Sequence, residues 1–268
     1  IAMEDKQLQA AVTANHEHRE LTLAAKARSP KEAAELLAEY PVTVIAAVLQ
    51  ELAPAQTQDV LGELPGGLVD GVMHAVSGEI AAQWQTNSRF PEGSIGRMMV
   101  PPRAVFRPDI SVRDTVEQLR PLVRTAFITY GYVTDEAGKL LGIITMRDLL
   151  FADDHVPLES VMLRNAFTLK PDLQLADAMK LVLDRHYPVY PVCDDNGKLL
   201  GLIRGQTMFE EQAFEITAQV GSMVGVEKEE RIITPFKRSL IFRHPWLQFN
   251  LLTAFVAAGV VGFFEGTI

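Results

Sequence analysis

Apolar residues at Leu36, Leu37, Tyr40, Val44, Ile45, Val48, Leu49 and Leu52 recur three and four apart, the period of a helix with one buried face. The pattern is punctuated. Leu37-Ala38-Glu39-Tyr40-Pro41, Leu49-Gln50-Glu51-Leu52-Ala53-Pro54 and Leu61-Gly62-Glu63-Leu64-Pro65 return every 12 residues. Each proline lacks an N–H and disfavours helix in the residue before it, so it ends one short helix and can start the next. Upstream, Ser29-Pro30-Lys31-Glu32 reads as a capping box with proline at the first helical position. The segment 29–90 is therefore expected to be an array of short helices, complete by about Thr86. So thin an array buries little surface and needs a neighbour. Residues 1–28 hold few apolar anchors and read as a tail or a loosely held helix. His16 and His18, two apart, share no helix face and form no metal site.

After Asn87 a longer repeat replaces this pattern. Arg107-Pro108-Asp109-Ile110-Ser111-Val112 matches Lys170-Pro171-Asp172-Leu173-Gln174-Leu175, and Tyr132 to Ile144 matches Pro191 to Ile203. Each copy predicts strand, helix, strand, turn, strand, helix. In each, Asp-x-x-Gly between two β-rich runs marks a hairpin, with glycine supplying positive φ. The copies occupy 94–154 and 157–215.

The last pattern is an uninterrupted one. From Trp246 to Phe264 no residue is charged. At about 1.5 Å per residue this run spans roughly 28 Å, close to a bilayer's hydrocarbon core. Lys237, Arg238 and Arg243 precede it, which places the N-terminal body, residues 1–244, in the cytoplasm. The chain opens on Ile1 and ends just past the run, so we expect a piece of a longer, multi-pass protein of the cell inner membrane.

Composition refines this picture. The 268 residues carry 25 Lys+Arg against 34 Asp+Glu, a net charge of −9. Such an acidic chain is unsuited to a nucleic-acid polymer, which demands a basic surface. One cysteine, Cys193, leaves no disulfide framework and suits a reducing compartment. There is no P-loop, no G-x-S-x-G and no HExxH, so the chain reads as a non-enzyme.

The two copies resemble a tandem pair of CBS motifs, a Bateman module. The order of parts resembles something narrower. A short-helix array, a CBS pair, an acidic helix, a basic stretch and the segment Pro245 to Glu265 are similar to the cytosolic region and first transmembrane helix of the MgtE family of magnesium channels. Phe90 to Met99 resembles that family's approach to its first CBS motif. The resemblance covers about residues 29–268. It implies a fold of α plus α/β type, with a helical domain at 29–90, a connecting (plug) region at 216–244 and a transmembrane helix at 245–265. It also implies a homodimer formed through the CBS modules, regulatory Mg²⁺, and closure of a pore when divalent cations bridge acidic interfaces.

Two sets of residues carry candidate chemistry. In CBS motifs the last strand enters a helix through [Ser/Thr]-x-x-[Asp/Asn], whose acid holds ribose hydroxyls. Here that is Thr145-Met146-Arg147-Asp148, where Arg147 can meet phosphate. Tyr130, with Phe167 or Tyr187, can sandwich the adenine of ATP or another adenosine nucleotide. The plain alternative is that Thr145 and Asp148 only cap the helix that follows. The second copy has Arg204 and Thr207 at the matching positions, so one competent cleft is expected at most.

Mg²⁺ takes oxygen ligands and is often held by one or two carboxylates. Glu211 and Glu215 share a helix face, and Glu210 and Glu215 match cation-binding positions of the family. Asp59, Glu63 and Asp70 are candidates to face them from the array. His186, Thr207, Ala218 and Gln219 stand where the family carries acids. The alternative for each acid is a solvated face. A rival to the channel reading is an adenosine-nucleotide-sensing CBS module tethered by one membrane helix.

Overall fold

The computed structural model describes residues 16–223 and 236–264. Residues 16–26 form a helix (α1), followed by α2 (Pro30–Leu37), α3 (Val42–Glu51), α4 (Pro54–Glu63), α5 (Gly66–Ala75) and α6 (Gly78–Asn87). The helices are short for the reason the sequence indicates. Pro41 and Pro65 sit at N-caps, and Pro30 and Pro54 open α2 and α4. Ser29 Oγ accepts from Glu32 N–H while the Glu32 carboxylate accepts from Ser29 N–H, each at 3.3 Å. Leu37, Ile45, Val48, Leu49, Val60 and Val72 form the array's core.

The structure departs from the expected tail at 1–28. Its described part, α1, belongs to the array. Leu21 and Ala25 enter the core, Gln56 donates to the Ala25 carbonyl, and His18 meets Glu51 at 2.9 Å. Two apolar residues one turn apart are enough when polar side chains fix the rest of the helix.

The paired repeat builds β1 (Val105–Phe106), α7 (Val112–Thr125), β2 (Tyr130–Thr134), β3 (Leu140–Thr145) and α8 (Met146–Phe151). After α9 (Leu158–Val161) and β4 (Leu163–Arg164) come α10 (Leu175–Val182), β5 (Val189–Cys193), β6 (Leu199–Arg204) and α11 (Gly205–Met223). β1 pairs parallel with β2, and β2–β3 and β3–β4 are antiparallel. In the second copy the first strand shrinks to one bridge, Leu169 to Val192. Both hairpins turn alike: the Asp135 and Asp194 carboxylates each accept two backbone N–H groups, and Gly138 and Gly197 both have φ of 81°.

The two copies exchange their leading segments. A 3₁₀ turn, η1 (Ile95–Met98), leads into the first copy, yet Ile95, Met98 and Met99 lie in the core of the second. Leu158 and Met162, leading into the second copy, lie in the core of the first. Glycine at one repeated position permits the exchange. A Cβ on Gly142 would fall 2.8 Å from the Leu163 carbonyl oxygen, and one on Gly201 would fall 2.8 Å from Met99 Cβ.

η1 also joins the module to the array. Asn87 is 1% exposed, and its Nδ2 donates to the Met99 carbonyl at 2.8 Å. Across the same joint Arg97 Nη2 donates to Asp59 Oδ1 on α4 at 3.3 Å, and Ala55 packs against the second copy's core.

The final helix, α12 (Phe236–Phe264), is continuous, so residues 236–244 extend the apolar helix and do not form a separate connecting element. The stretch Arg243–Phe263, 21 residues, is long and apolar enough to cross a membrane, and no part of it is buried against the rest of the chain. The expected connecting region otherwise falls on α11 and on residues 224–235, which lie outside the described residues.

Candidate functional site

Antiparallel pairing of β2 with β3 places Tyr130 opposite Thr145, at the end of the sheet where α8 begins. Thr145 caps α8: its Oγ1 accepts from Asp148 N–H at 3.2 Å and donates to Asp148 Oδ2 at 2.8 Å. The same Oδ2 accepts from Thr145 N–H at 3.1 Å, closing a capping box. Capping is thus present. It engages Oδ2, while Oδ1 lies 3.7 Å from Arg147 Nη2. The Asp148 side chain is 23% exposed and that of Arg147 is 80% exposed, so the acid is held rigidly beside a mobile cation.

An aromatic cluster adjoins this cap. Tyr187 and Tyr190 lie with ring centroids 5.8 Å apart, and Phe167 meets Tyr190 edge-on at 6.1 Å. Burial raises the Tyr130 phenol pKa, and the nearby Tyr187 and Tyr190 phenols raise it further, which ties Tyr130 to the same group. Tyr190 is the buried centre of the cluster, and its hydroxyl accepts from Tyr187 N–H at 3.1 Å. Sequence reasoning missed it; the alternation of Val189-Tyr190-Pro191-Val192 was the available signal. Sequence reasoning also missed Arg185, whose guanidinium carbon sits 3.9 Å from the Phe167 ring centroid. The only two non-glycine residues with positive φ among those described, Asn165 and His186, flank this cluster.

The candidate acids do not converge. Asp59 is engaged by Arg97 at the joint, and Glu63 and Asp70 are exposed on the array. Glu210 is exposed and accepts from Gln206 Nε2 at 2.7 Å, while Glu211 and Glu215 are half-buried on α11. Among the described residues no three of His, Cys, Asp and Glu are placed to hold one metal ion. A cavity of about 230 Å³ lies at the other end of β3, lined by Leu140, Gly142, Asn165, Lys170, Cys193 and Asp194. It contains none of the residues expected to bind nucleotide or cation. Burial pushes the Cys193 thiol up to about 11.

The CBS domain model matches residues 95–155 and 158–232, more than half of the chain. The chain belongs to the CBS-domain family. Its CBS pair, with the array before it, is homologous to the cytosolic region of MgtE. The chain is 25% identical over 190 residues to the magnesium transporter MgtE of Thermus thermophilus, covering 70% of this chain and 42% of that protein. It is 23% identical over 181 residues to the Bacillus subtilis MgtE, covering 67% and 40%. The chain thus spans about two-fifths of the length of these curated relatives. Inosine-5'-monophosphate dehydrogenase of Nitrosopumilus maritimus matches at 26% over 169 residues, 34% of that enzyme, through the CBS motifs. The fold matches the crystal structure of the cytosolic domain of the Mg²⁺ channel MgtE in complex with ATP, with a TM-score of 0.62 at 24% identity over 74% of this chain and 84% of that one. It also matches the soluble part of a magnesium transporter, with a TM-score of 0.59 at 22% identity over 70% and 79%.

Proposed function

We propose that this chain is the cytosolic Mg²⁺-sensing region of a magnesium transporter or channel, joined to the membrane through α12. The observation that carries this reading is the order of parts. A helical array precedes the CBS pair and a membrane-length helix follows it, and the likeness to MgtE of Thermus thermophilus, at 190 residues, is longer than the CBS pair alone. In this reading the body lies in the cytoplasm, the membrane is the inner one, and the chain catalyses no reaction.

The sensing is electrostatic. Three of the basic residues but only one acid lie beyond residue 236, so the body is more acidic than the whole chain. Glu210, Glu211 and Glu215 on α11 and Glu63 and Asp70 on the array are carboxylates of separate elements, which a cation draws together and like charge drives apart. Unit charges 4 Å apart repel by about 4 kcal/mol at an effective dielectric near 20. A full swing of a two-state element needs about 5.5 kcal/mol, which a few such pairs supply.

The module pairs with a second copy. Leu150 and Phe209 occupy equivalent positions of the two repeats and are 77% and 53% exposed, and Phe151 and Phe127 extend the apolar surface. Exposed large apolar residues at repeat-related positions support a two-fold contact. The cleft of Tyr130, Thr145, Arg147, Asp148, Phe167 and Tyr187 takes an adenosine nucleotide. The ATP held by the matching structure and the aromatic cluster beside Asp148 support this.

Equilibrium dialysis of the chain in detergent micelles tests the cation reading. Mg²⁺ is expected to be retained at millimolar concentration and to resist displacement by K⁺. Retention no greater than that of a Glu210→Gln/Glu211→Gln/Glu215→Gln variant contradicts it.

A further inference from the structure

The aromatic platform beside Asp148 carries a cation of the chain's own. The Arg185 guanidinium lies over the Phe167 ring with its carbon 3.9 Å from the centroid, the geometry of a cation–π contact. It is held there from behind, because Arg185 Nε donates to the Leu181 carbonyl one helical turn earlier at 3.2 Å. His186 then adopts φ of 52°, which turns the backbone so that Tyr187 N–H reaches the Tyr190 hydroxyl. Phe167 is half-buried and packs against the second repeat's core, whereas Arg185 is exposed. The ring face under Arg185 is therefore the one turned toward solvent, the face that an incoming flat base must use. A planar guanidinium and a purine cannot stack on the same face at once.

We propose that Arg185 is a displaceable lid on the base-binding platform, so that an adenine enters only by expelling it. The proposal rests on the reading of this cleft as an adenosine-nucleotide site and deepens it: the lid sets the affinity threshold at which the cleft fills. The contribution is that of an exposed cation–π contact, a factor of about 2 to 5 in equilibrium constant. It acts on the base, so it is the same for a ligand with phosphates and one without.

The test is calorimetric titration of adenosine and, separately, ATP into the chain in detergent micelles, for wild type, Arg185→Ala and Arg185→Lys. Arg185→Ala is expected to tighten both ligands about three-fold. Arg185→Lys, which keeps the charge but loses the flat stack, is expected to fall between. The thermal midpoint of the unliganded variants is expected to match wild type, because the side chain is exposed. Unchanged adenosine affinity with weaker ATP binding overturns the lid and makes Arg185 a phosphate ligand, leaving the cleft reading standing. Binding by Arg185→Ala where wild type shows none supports the lid. If none of the proteins binds either ligand, lid and cleft reading fall together.

Discussion

Replacing Arg97 with glutamine removes the one cation that spans the joint between array and CBS pair by a described ion pair. Arg97 Nη2 lies 3.3 Å from Asp59 Oδ1, with the two side chains 20% and 32% exposed. At that separation the gross attraction is about 5 kcal/mol for an effective dielectric of 20. Desolvation and side-chain ordering remove most of it, and fully exposed pairs retain less than about 1 kcal/mol. The joint is drier than that, since Gln58 beside Asp59 is 3% exposed and Asn87 is 1% exposed. A net loss of about 1–2 kcal/mol is expected, which favours opening of the joint about 5- to 30-fold. Hydrogen exchange read by mass spectrometry on the chain in micelles, without divalent cations, measures this directly. The α4 amides, which face η1, are expected to exchange faster by that factor in Arg97→Gln. The α3 amides, inside the array core, are expected to change less than two-fold. Arg97→Lys should restore part of the protection. Equal exchange of α4 in wild type and Arg97→Gln would refute the assignment of the ion pair as the joint's clasp.

Three further outcomes follow from the geometry. Gly201→Ala, whose Cβ meets Met99 and the Val100 carbonyl, and Gly142→Ala, which meets the Leu163 carbonyl and Met162, should each lower stability in chemical denaturation by about 2–3 kcal/mol. Because burial raises the Cys193 thiol to about 11, the folded chain holds that proton more tightly than the unfolded one. Its contribution is complete below the unfolded pKa of about 8.5 and is lost as pH rises toward 11, so wild type should lose more stability over this window than Cys193→Ser. Asp148→Ala should abolish ATP binding in calorimetry and also destabilise α8 by about 1 kcal/mol through the lost cap, whereas Thr207→Ala should leave ATP binding unchanged.

Much of the fold is readable in the chain because its signals are local. Proline every 12 residues can only cut the array into short helices, and the duplicated Asp-x-x-Gly turn can only be read as two hairpins. The crossing of the leading segments is not local. Nothing in Ile95-Gly96-Arg97-Met98-Met99 says that it packs in the second repeat's core; only the reach of the chain over the Gly201 position decides it. The inclusion of α1 in the array was hidden for a similar reason, since Leu21 and Ala25 are too sparse to stand out until a groove receives them. In the candidate cleft, the cap of Thr145 and Asp148 is a short-range motif and was legible. The placement of Tyr190 and Arg185 was not, because it depends on His186 adopting a left-handed conformation that its residue type merely tolerates.

The central claim is that Mg²⁺ draws together acids on separate elements, and hydrogen exchange across a Mg²⁺ titration of the chain in micelles measures it most directly. The account predicts that millimolar Mg²⁺ slows exchange in the described part of α11 and in α5, which carry Glu210, Glu211, Glu215 and Asp70. Equal ionic strength of KCl should not reproduce this, because monovalent ions screen without bridging. In Glu210→Gln/Glu215→Gln the midpoint should move to higher Mg²⁺. Exchange that is the same with and without Mg²⁺, or a midpoint untouched by the double substitution, would contradict the account.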